Sequence, residues 1–323
     1  MREGIKAVSL FSGCGGFDYG VKQAGAEIVW ANDNDHHAAY AYQSIFDDVD
    51  FHLGDIRKVK LFPRADILIG CYPCTGFSEA ARRRWKEFEE RDIHQNDKNF
   101  LFEEFLRALK VVKPKFLFVE NVRGMLSAGG GWFINEQIRA FSELGYKITY
   151  SQVDASEYGV AQTRKRVFLV GVKKTIKDFK YSFPKVTHGS EGRNESRTLR
   201  DNIGGMVEWP EGEFYDGSFH GHYLTRNRKR AWDQPSFTIV AHGHHVPLHP
   251  NGSPMSFVST DKWKLQGEFN RRLSWRECAK IQGLSSKMKL DGTLLDKYRV
   301  VGNSVPPKLS KAIVDPVLKY LNQ

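Results

Sequence analysis

Five short, predominantly apolar runs divide the first half of the chain: "IKAVSLF" (5–11), "EIVWAN" (27–32), "DILIGC" (66–71), "FLFVE" (116–120) and "RVFLVGV" (166–172). Runs of this length that are apolar at successive positions suit strands covered on both faces. The stretches between several of them have helical periodicity. It is clearest in "NFLFEEFLRALKVV", where Phe102, Phe105, Leu106 and Leu109 share one face and charge lies opposite. Alternating β and α units predict an α/β fold built on a doubly wound, mostly parallel sheet. Ligands of such sheets sit beyond the carboxyl ends of the strands.

The strand ends are therefore where chemistry is expected. The first reads "SLFSGCGGFDYG", a glycine turn running into a helix, in which Gly13, Gly15 and Gly16 let the backbone bend and approach a ligand. This spacing suits a dinucleotide or S-adenosylmethionine, and it also suits plain packing of strand against helix. The second end, "WANDNDHHAA", places Asp33 or Asp35 about twenty residues on, where an acid accepts hydrogen bonds from ribose hydroxyls. The third, "HLGDIRKV", offers Asp55 either as an acceptor for an adenine amino group or as a helix N-cap.

Cys74 follows the next strand in "DILIGCYPCTGFS". "CYPC" also fits a redox pair, but such pairs usually head a small domain, whereas this one follows a complete nucleotide-type βαβαβ unit. No second Cys or His pair at ligand spacing supports a metal site. Pro73 before the thiol and Thr-Gly-Phe-Ser after it describe an exposed turn, which favours a nucleophile over an inert buried cysteine. At the fifth strand end, "FLFVENVRGM", Glu120 and Asn121 close an apolar strand, so the carboxylate is desolvated and its pKa is pushed upward. Gln162, Arg164 and Arg166 alternate into the following strand and should point to one face, as substrate contacts or as a solvated strand start.

Charge and composition bound the partners. A formal net charge of +10 suggests a polyanion. Residues 271–323 carry eleven Lys and Arg against four Asp and Glu, while residues 181–270 carry ten of each, and seven of the eleven histidines. The middle segment thus reads as a loop-rich insert, giving an expected division into 1–179, 180–270 and 271–323. The four cysteines are too few and scattered for a disulfide framework, and no leader or long apolar segment stands out. The expectation is a soluble cytosolic protein with reduced thiols.

Taken in order, "LFSGCGG", "PCTGFS", "ENV", "QTRKR", "RRLSWRECAKIQG" and "YRVVGNSVPP" resemble the DNA (cytosine-5) methyltransferase family, from Val8 to Pro307. The resemblance implies a Rossmann-like S-adenosylmethionine-dependent domain with a smaller target-recognition domain. It implies Cys74 as the nucleophile at C6 of a flipped-out cytosine, Glu120 as the acid at N3 and the exocyclic amine, and Arg166 holding the base and Glu120. Arg164 completes the expected catalytic set. Phe11, Ser12, Gly13, Gly15, Gly16, Asp33, Asn34, Asp55, Ile56, Pro73, Asn303 and Ser304 would line the cofactor pocket, with S-adenosylhomocysteine as product and no metal. Thr75 stands where the family usually has glutamine. Asn34 stands where a bulky residue commonly stacks on adenine.

Target choice is expected in residues 180–270 and in the segment after Ser78, where Arg82, Arg83, Arg84 and Trp85 suit a loop closing over DNA. Gln162, Arg226, Arg228, Arg230 and Thr238 complete the expected DNA contacts. "HGHHVPLHP" invites a metal reading, but histidines without nearby acids or cysteines more often serve as loop donors. The expected protein is a monomeric bacterial cytoplasmic enzyme acting on double-stranded DNA, with a cognate restriction endonuclease as possible companion. Three other readings are less well matched. A transfer-RNA methyltransferase would carry a Cys-Phe-Thr signature that is absent here. A noncatalytic relative would have lost Cys74 or Glu120. A nicotinamide oxidoreductase would share only the glycine turn.

Overall fold

In the computed structural model, which describes residues 4–73 and 101–323, the central strands send alternate side chains into two separate cores. The strands are β1 (Lys6–Leu10), β2 (Glu27–Asp33), β3 (Asp50–Leu53), β4 (Ile67–Gly70), β5 (Phe116–Val122), β6 (Tyr146–Asp154) and β7 (Lys165–Lys173). They form one sheet in the order β3-β2-β1-β4-β5-β7-β6. The pairs from β3 through β5 are parallel, and β7 runs antiparallel to both β5 and β6.

Ala7, Ile67, Ile69, Phe116, Phe118, Phe168 and Val170 face one core, and Val8, Leu10, Leu68, Leu117, Val119, Val167 and Leu169 face the other. This is the two-residue period of a sheet buried on both sides. Removing each Val, Leu, Ile or Phe side chain among them from water contributes about 1.5–3 kcal/mol. The first core is closed by α1 (Gly16–Ala24) and by the last helix, α8 (Pro307–Leu321); the second by α3 (Phe102–Val112) and α4 (Trp132–Glu143). In α3 the residues Phe102, Phe105, Ala108, Leu109 and Val112 are buried, the face the periodicity predicts.

Sequence reading did not find β6. Its segment "YKITYSQVD" is an edge strand with only Tyr146, Val153 and Asp154 buried, so it lacks the apolar run that marks its neighbours.

The return of the chain end is set by two glycines one helical turn apart. A Cβ on Gly16 would stand 2.0 Å from Ser304 Oγ, and one on Gly20 would stand 2.1 Å from Ser310 Oγ. Only hydrogen at both positions lets α8 and the segment before it press onto α1.

The smaller part contains α5 (Leu199–Ile203), the hairpin β8 (Ser256–Ser259) and β9 (Lys262–Lys264), α6 (Trp275–Gln282) and α7 (Leu294–Asn303). One core joins Leu199, Ile203, Ile239 and Val246 to Leu273, Cys278, Tyr298 and Val301. Packing thus continues across residue 270, and the segment that rejoins the sheet begins near Val305.

Candidate active site

The carboxyl ends of β1, β2, β4 and β5 converge with the end of α7. Directly after β1, Phe11 adopts φ 56°, a left-handed conformation that costs a non-glycine residue about 1–3 kcal/mol and tends to mark a functional turn. Its ring meets Tyr72 edge-on at 6.1 Å. Ser12 donates from its backbone to the Asn32 carbonyl at 2.9 Å. Gly13 has φ 56° and nothing within 4 Å of where a Cβ would stand, so this part of the turn is open. By contrast, a Cβ on Gly15 would meet Phe46 and Tyr42. Gly15 and Gly16 thus permit packing, one of the readings their spacing allowed.

Asp33 and Asp35 differ in their neighbours. Asp35 caps α2 (His36–Gln43), accepting from His37 and Ala38, and pairs with Arg299 on α7. Asp33 closes β2, accepting the Gly13 N–H at 2.8 Å and the Asp35 N–H at 2.9 Å. Burial raises its carboxyl to about 6, against the lowering effect of the Gly13 and Asn34 backbone N–H groups and of Arg299. Asn34 is exposed beside it.

Asp55 is an N-cap, accepting from the Arg57 N–H while both oxygens hold the Arg57 guanidinium. Those contacts hold its carboxyl below the usual range. Ile56 is buried in the second core. The third strand end is tied in by Asn32, missed in the sequence, whose buried amide donates to the His52 and Gly54 carbonyls at 2.9 Å each. Asn303 is exposed at the end of α7, and Ser304 is buried against Gly16.

At the end of β5, Glu120 and Arg166 face one another across the β5–β7 pair, with Arg166 Nε 3.0 Å from Glu120 Oε1. The contact is a charge pairing rather than a well-aligned hydrogen bond. Burial raises the Glu120 pKa, with Arg166 and then Arg164 opposing it. Beside the pair, Asn121 Nδ2 reaches the Tyr72 carbonyl at 3.4 Å, bringing the backbone that leads through Pro73 to the same crevice. Cys74, Ser78, Arg82, Arg83 and Arg84 lie outside the described residues. Cys71 is partly buried and its thiol is held well above the usual range, by burial first and then by Glu120. Burial likewise pushes Cys14 up to about 11.

Gln162 and Arg164 are not part of a solvated strand start: both are buried and both reach Ile239. Gln162 is buried, accepting the Ile239 N–H at 2.9 Å and donating to Gln282 Oε1 at 3.2 Å. Arg164, 2% exposed, donates to the Ile239 carbonyl at 2.8 Å and the Gly302 carbonyl at 2.9 Å. Thr238 Oγ1 donates to the Thr163 carbonyl at 2.6 Å. Three residues expected at substrate or DNA therefore join the two parts of the molecule.

Arg228, expected to contact DNA, and three other basic residues are interior. Arg228 is buried, donating to the Tyr223 and His245 carbonyls. Lys229 is buried among the carbonyls of Asn251, Ser253 and Phe269, and burial lowers it to about 8. Arg271 makes a buried two-pronged pair with Glu277 at 2.8 and 2.7 Å. Arg272 stacks on Tyr215, Phe219 and Tyr223 and donates to four carbonyls. Arg226 is exposed, and Arg230 is half-buried 4.0 Å over the Phe237 ring.

The rings of His242, His244 and His245 stand close, His242 lying 5.2 Å from His244 and 5.7 Å from His245. Among the described residues, no group of three or more His, Cys, Asp or Glu is arranged to hold a metal ion. Nor is any described helix long and apolar enough to cross a membrane.

Comparison with known proteins places this geometry in context. The sequence profile described as C-5 cytosine-specific DNA methylase matches residues 5–319. Type II methyltransferase M.BsuRI of Bacillus subtilis is 37% identical over 98% of this chain and 80% of its own length. Type II methyltransferase M.FnuDI of Fusobacterium nucleatum is 35% identical over 98% of this chain and 95% of its own. Among solved structures, the S. pombe Dnmt2 methyltransferase aligns with a TM-score of 0.69 at 17% identity, covering 99% of this chain and 100% of that one. The Entamoeba histolytica methyltransferase EhMeth aligns with a TM-score of 0.70 at 15% identity, covering 100% of both chains. At that identity the two structures speak to the fold alone.

Proposed function

The chain belongs to the C-5 cytosine-specific DNA methylase family and is a DNA (cytosine-5) methyltransferase; from that premise we propose how its residues divide the reaction. Cys74 adds through sulfur to C6 of a cytosine turned out of the duplex while the Glu120 carboxyl donates a proton to N3. C5, otherwise a poor nucleophile, becomes an enamine carbon. S-adenosylmethionine, when bound, supplies the methyl group that C5 accepts. Loss of the C5 proton, and expulsion of the Cys74 thiolate with return of the N3 proton to Glu120, then restore the aromatic ring. Extruding the base costs a few kcal/mol of stacking, which contacts to the DNA backbone offset.

The observation that carries this reading is the buried Glu120–Arg166 pair closing an apolar strand beside the backbone that leads to Cys74. Burial favours a carboxyl that keeps a proton to give, and the adjacent guanidinium keeps that proton transferable. For the cofactor, support comes from the open Gly13 turn, the Asp33 carboxylate at the next strand end and exposed Asn303, next in the chain to the Ser304 that packs on Gly16. These are the donor and acceptor types that a ribose and an amino-acid tail require.

We assign target choice to residues 180–270 and to the segment after Ser78, and we place the enzyme as a monomer in a bacterial cytoplasm beside a restriction endonuclease of the same target. The deciding experiment uses duplex with 5-fluorocytosine at the target, because fluorine cannot leave C5 as a proton does. The adduct should map to Cys74 and be absent from Cys74→Ser, which still binds S-adenosylmethionine. An adduct on another residue, or normal turnover by that variant, refutes the assignment.

A further inference from the structure

At the pole of the sheet farthest from Glu120, three separate stretches bring five lysines around one groove of about 400 Å³. Lys147 comes from the start of β6, Lys173 and Lys174 from the end of β7, and Lys177 and Lys180 from the loop that follows. Because β7 is antiparallel to β5, Val122 stands opposite Arg166 at the catalytic end and Phe116 opposite Val172 at the groove end. Seven residues of strand separate Arg166 from Lys173, about 23 Å at roughly 3.3 Å per residue.

The groove floor is firm. Phe179 packs 4.6 Å from the Tyr320 ring and 5.5 Å from Phe116, and Tyr181 donates to the Ile313 carbonyl of α8 at 2.9 Å. Lys173 and Lys174 each touch a backbone carbonyl, those of Lys113 and Ser142. Lys147, Lys177 and Lys180 are exposed. Among the described residues none of the five has a carboxylate within ion-pair distance, while nearby Lys115 is matched by Asp66, and Asp178 is held by the Tyr320 hydroxyl. A fixed floor ringed by unmatched ammonium groups attracts a polyanion, whose own condensed counterions are released as the ammonium groups replace them.

We propose that this groove is a second binding site, taking the phosphate backbone of a duplex segment other than the one being methylated. The sheet lies between the groove and the catalytic crevice, so its phosphate contacts belong to a different stretch of DNA. A site of this kind keeps the enzyme on long DNA between targets and lets it pass from one segment to another. The proposal rests on DNA being the substrate and is independent of the roles of Cys74 and Glu120.

The test replaces together the three exposed lysines that hold no backbone carbonyl, Lys147→Glu, Lys177→Glu and Lys180→Glu, in the full-length enzyme. Methylation of a short duplex holding one target serves as the control. It should stay within about twofold of wild type, and a wild-type enzyme inactive on that duplex would count against the proposed chemistry instead. On kilobase DNA the variant should bind more weakly, and log K against log salt should flatten by about 0.9 for each phosphate no longer neutralised, near three units in all. Wild-type enzyme bound to an immobilised target duplex should also retain a second, labelled duplex that the variant releases. The corresponding Gln variants should show a smaller effect in the same direction, which separates charge from misfolding. An unchanged salt slope on long DNA overturns the proposal. So does retention by the wild type of phosphatidylglycerol vesicles but of no second duplex.

Discussion

Arg164 holds the carbonyl of Ile239 at 2.8 Å from a strand 75 residues away, and its other terminal nitrogen holds Gly302 at 2.9 Å. Gln162 grips the N–H of the same Ile239. One buried guanidinium thus ties the start of the Arg166 strand to two points of the smaller part, Ile239 and the turn of α7 that ends in Asn303. Arg164→Lys keeps the charge but cannot span both carbonyls. Removing one such charged hydrogen bond should cost about 1.5–3 kcal/mol in chemical denaturation. In steady-state assays KM for DNA and for S-adenosylmethionine should rise together while kcat changes less. A decrease confined to kcat would return Arg164 to direct catalysis.

Glu120→Gln preserves shape and removes the transferable proton. Methyl transfer should slow by about 10²-fold or more, the usual scale for general acid catalysis. Extrusion of the target, read from 2-aminopurine fluorescence, should persist. Wild-type turnover with normal extrusion would make the residue structural.

Asp33 sets an expected pH dependence for cofactor binding. Its carboxyl sits near 6 and accepts from Gly13 and Asp35; in the proposed role, the ionised form is the one that would also accept from ribose hydroxyls. Affinity for S-adenosylmethionine, measured by calorimetry from pH 8 to 5, should hold above about pH 6 and weaken below it. Asp33→Asn should bind more weakly at pH 8 and show no such dependence.

Asp18, wholly buried on α1, accepts from Ser9 Oγ at 2.8 Å and the Tyr42 hydroxyl at 2.9 Å. Burial raises it from 3.8 to about 6, with those two hydrogen bonds opposing. The folded protein therefore takes up this proton at higher pH than the unfolded chain. The ionised group destabilises by about 3 kcal/mol above pH 6, and that cost is relieved as pH falls from 6 toward 3.8. Asp18→Asn has no such titration. Compared by denaturant unfolding, wild type should gain on the variant between pH 8 and 5, and a constant difference would sink the assignment.

Arg226 and Arg228 should part company. Arg226→Ala removes an exposed charge and should weaken all duplexes alike, lowering the salt slope by about one unit. Arg228→Ala empties a buried site that anchors Tyr223 and His245, so its effect should appear as lowered stability of the folded protein. Relaxed choice at a single base by the Arg226 variant would instead mark a guanine contact.

Much of the fold and part of the site were legible in the chain because they follow from local periodicity. Apolar runs that are buried on both faces, a helix whose apolar stripe recurs every three to four residues, and a glycine turn after the first strand are all properties of neighbouring residues. Glu120 could be singled out because the strand it ends is otherwise apolar, which already implies desolvation. The edge strand Tyr146–Asp154 escaped because half-exposed strands do not carry that run.

What only the tertiary structure decided is which partner each polar side chain meets. Arginines and lysines look alike in a charge count, yet Arg228, Lys229, Arg271 and Arg272 are spent on carbonyls and one glutamate inside the protein. Meanwhile Lys147 shares one groove with Lys173 and Lys180, which follow it by 26 and 33 residues. Alternation expects Gln162, Arg164 and Arg166 on one face, and the resemblance paired Arg166 with Glu120, but neither showed that the first two would find Ile239 and Gln282. The backbone repeats every two or 3.6 residues whatever lies nearby, whereas desolvation and hydrogen bonding depend on atoms brought from 75 to 138 residues away, and only the packed chain supplies those.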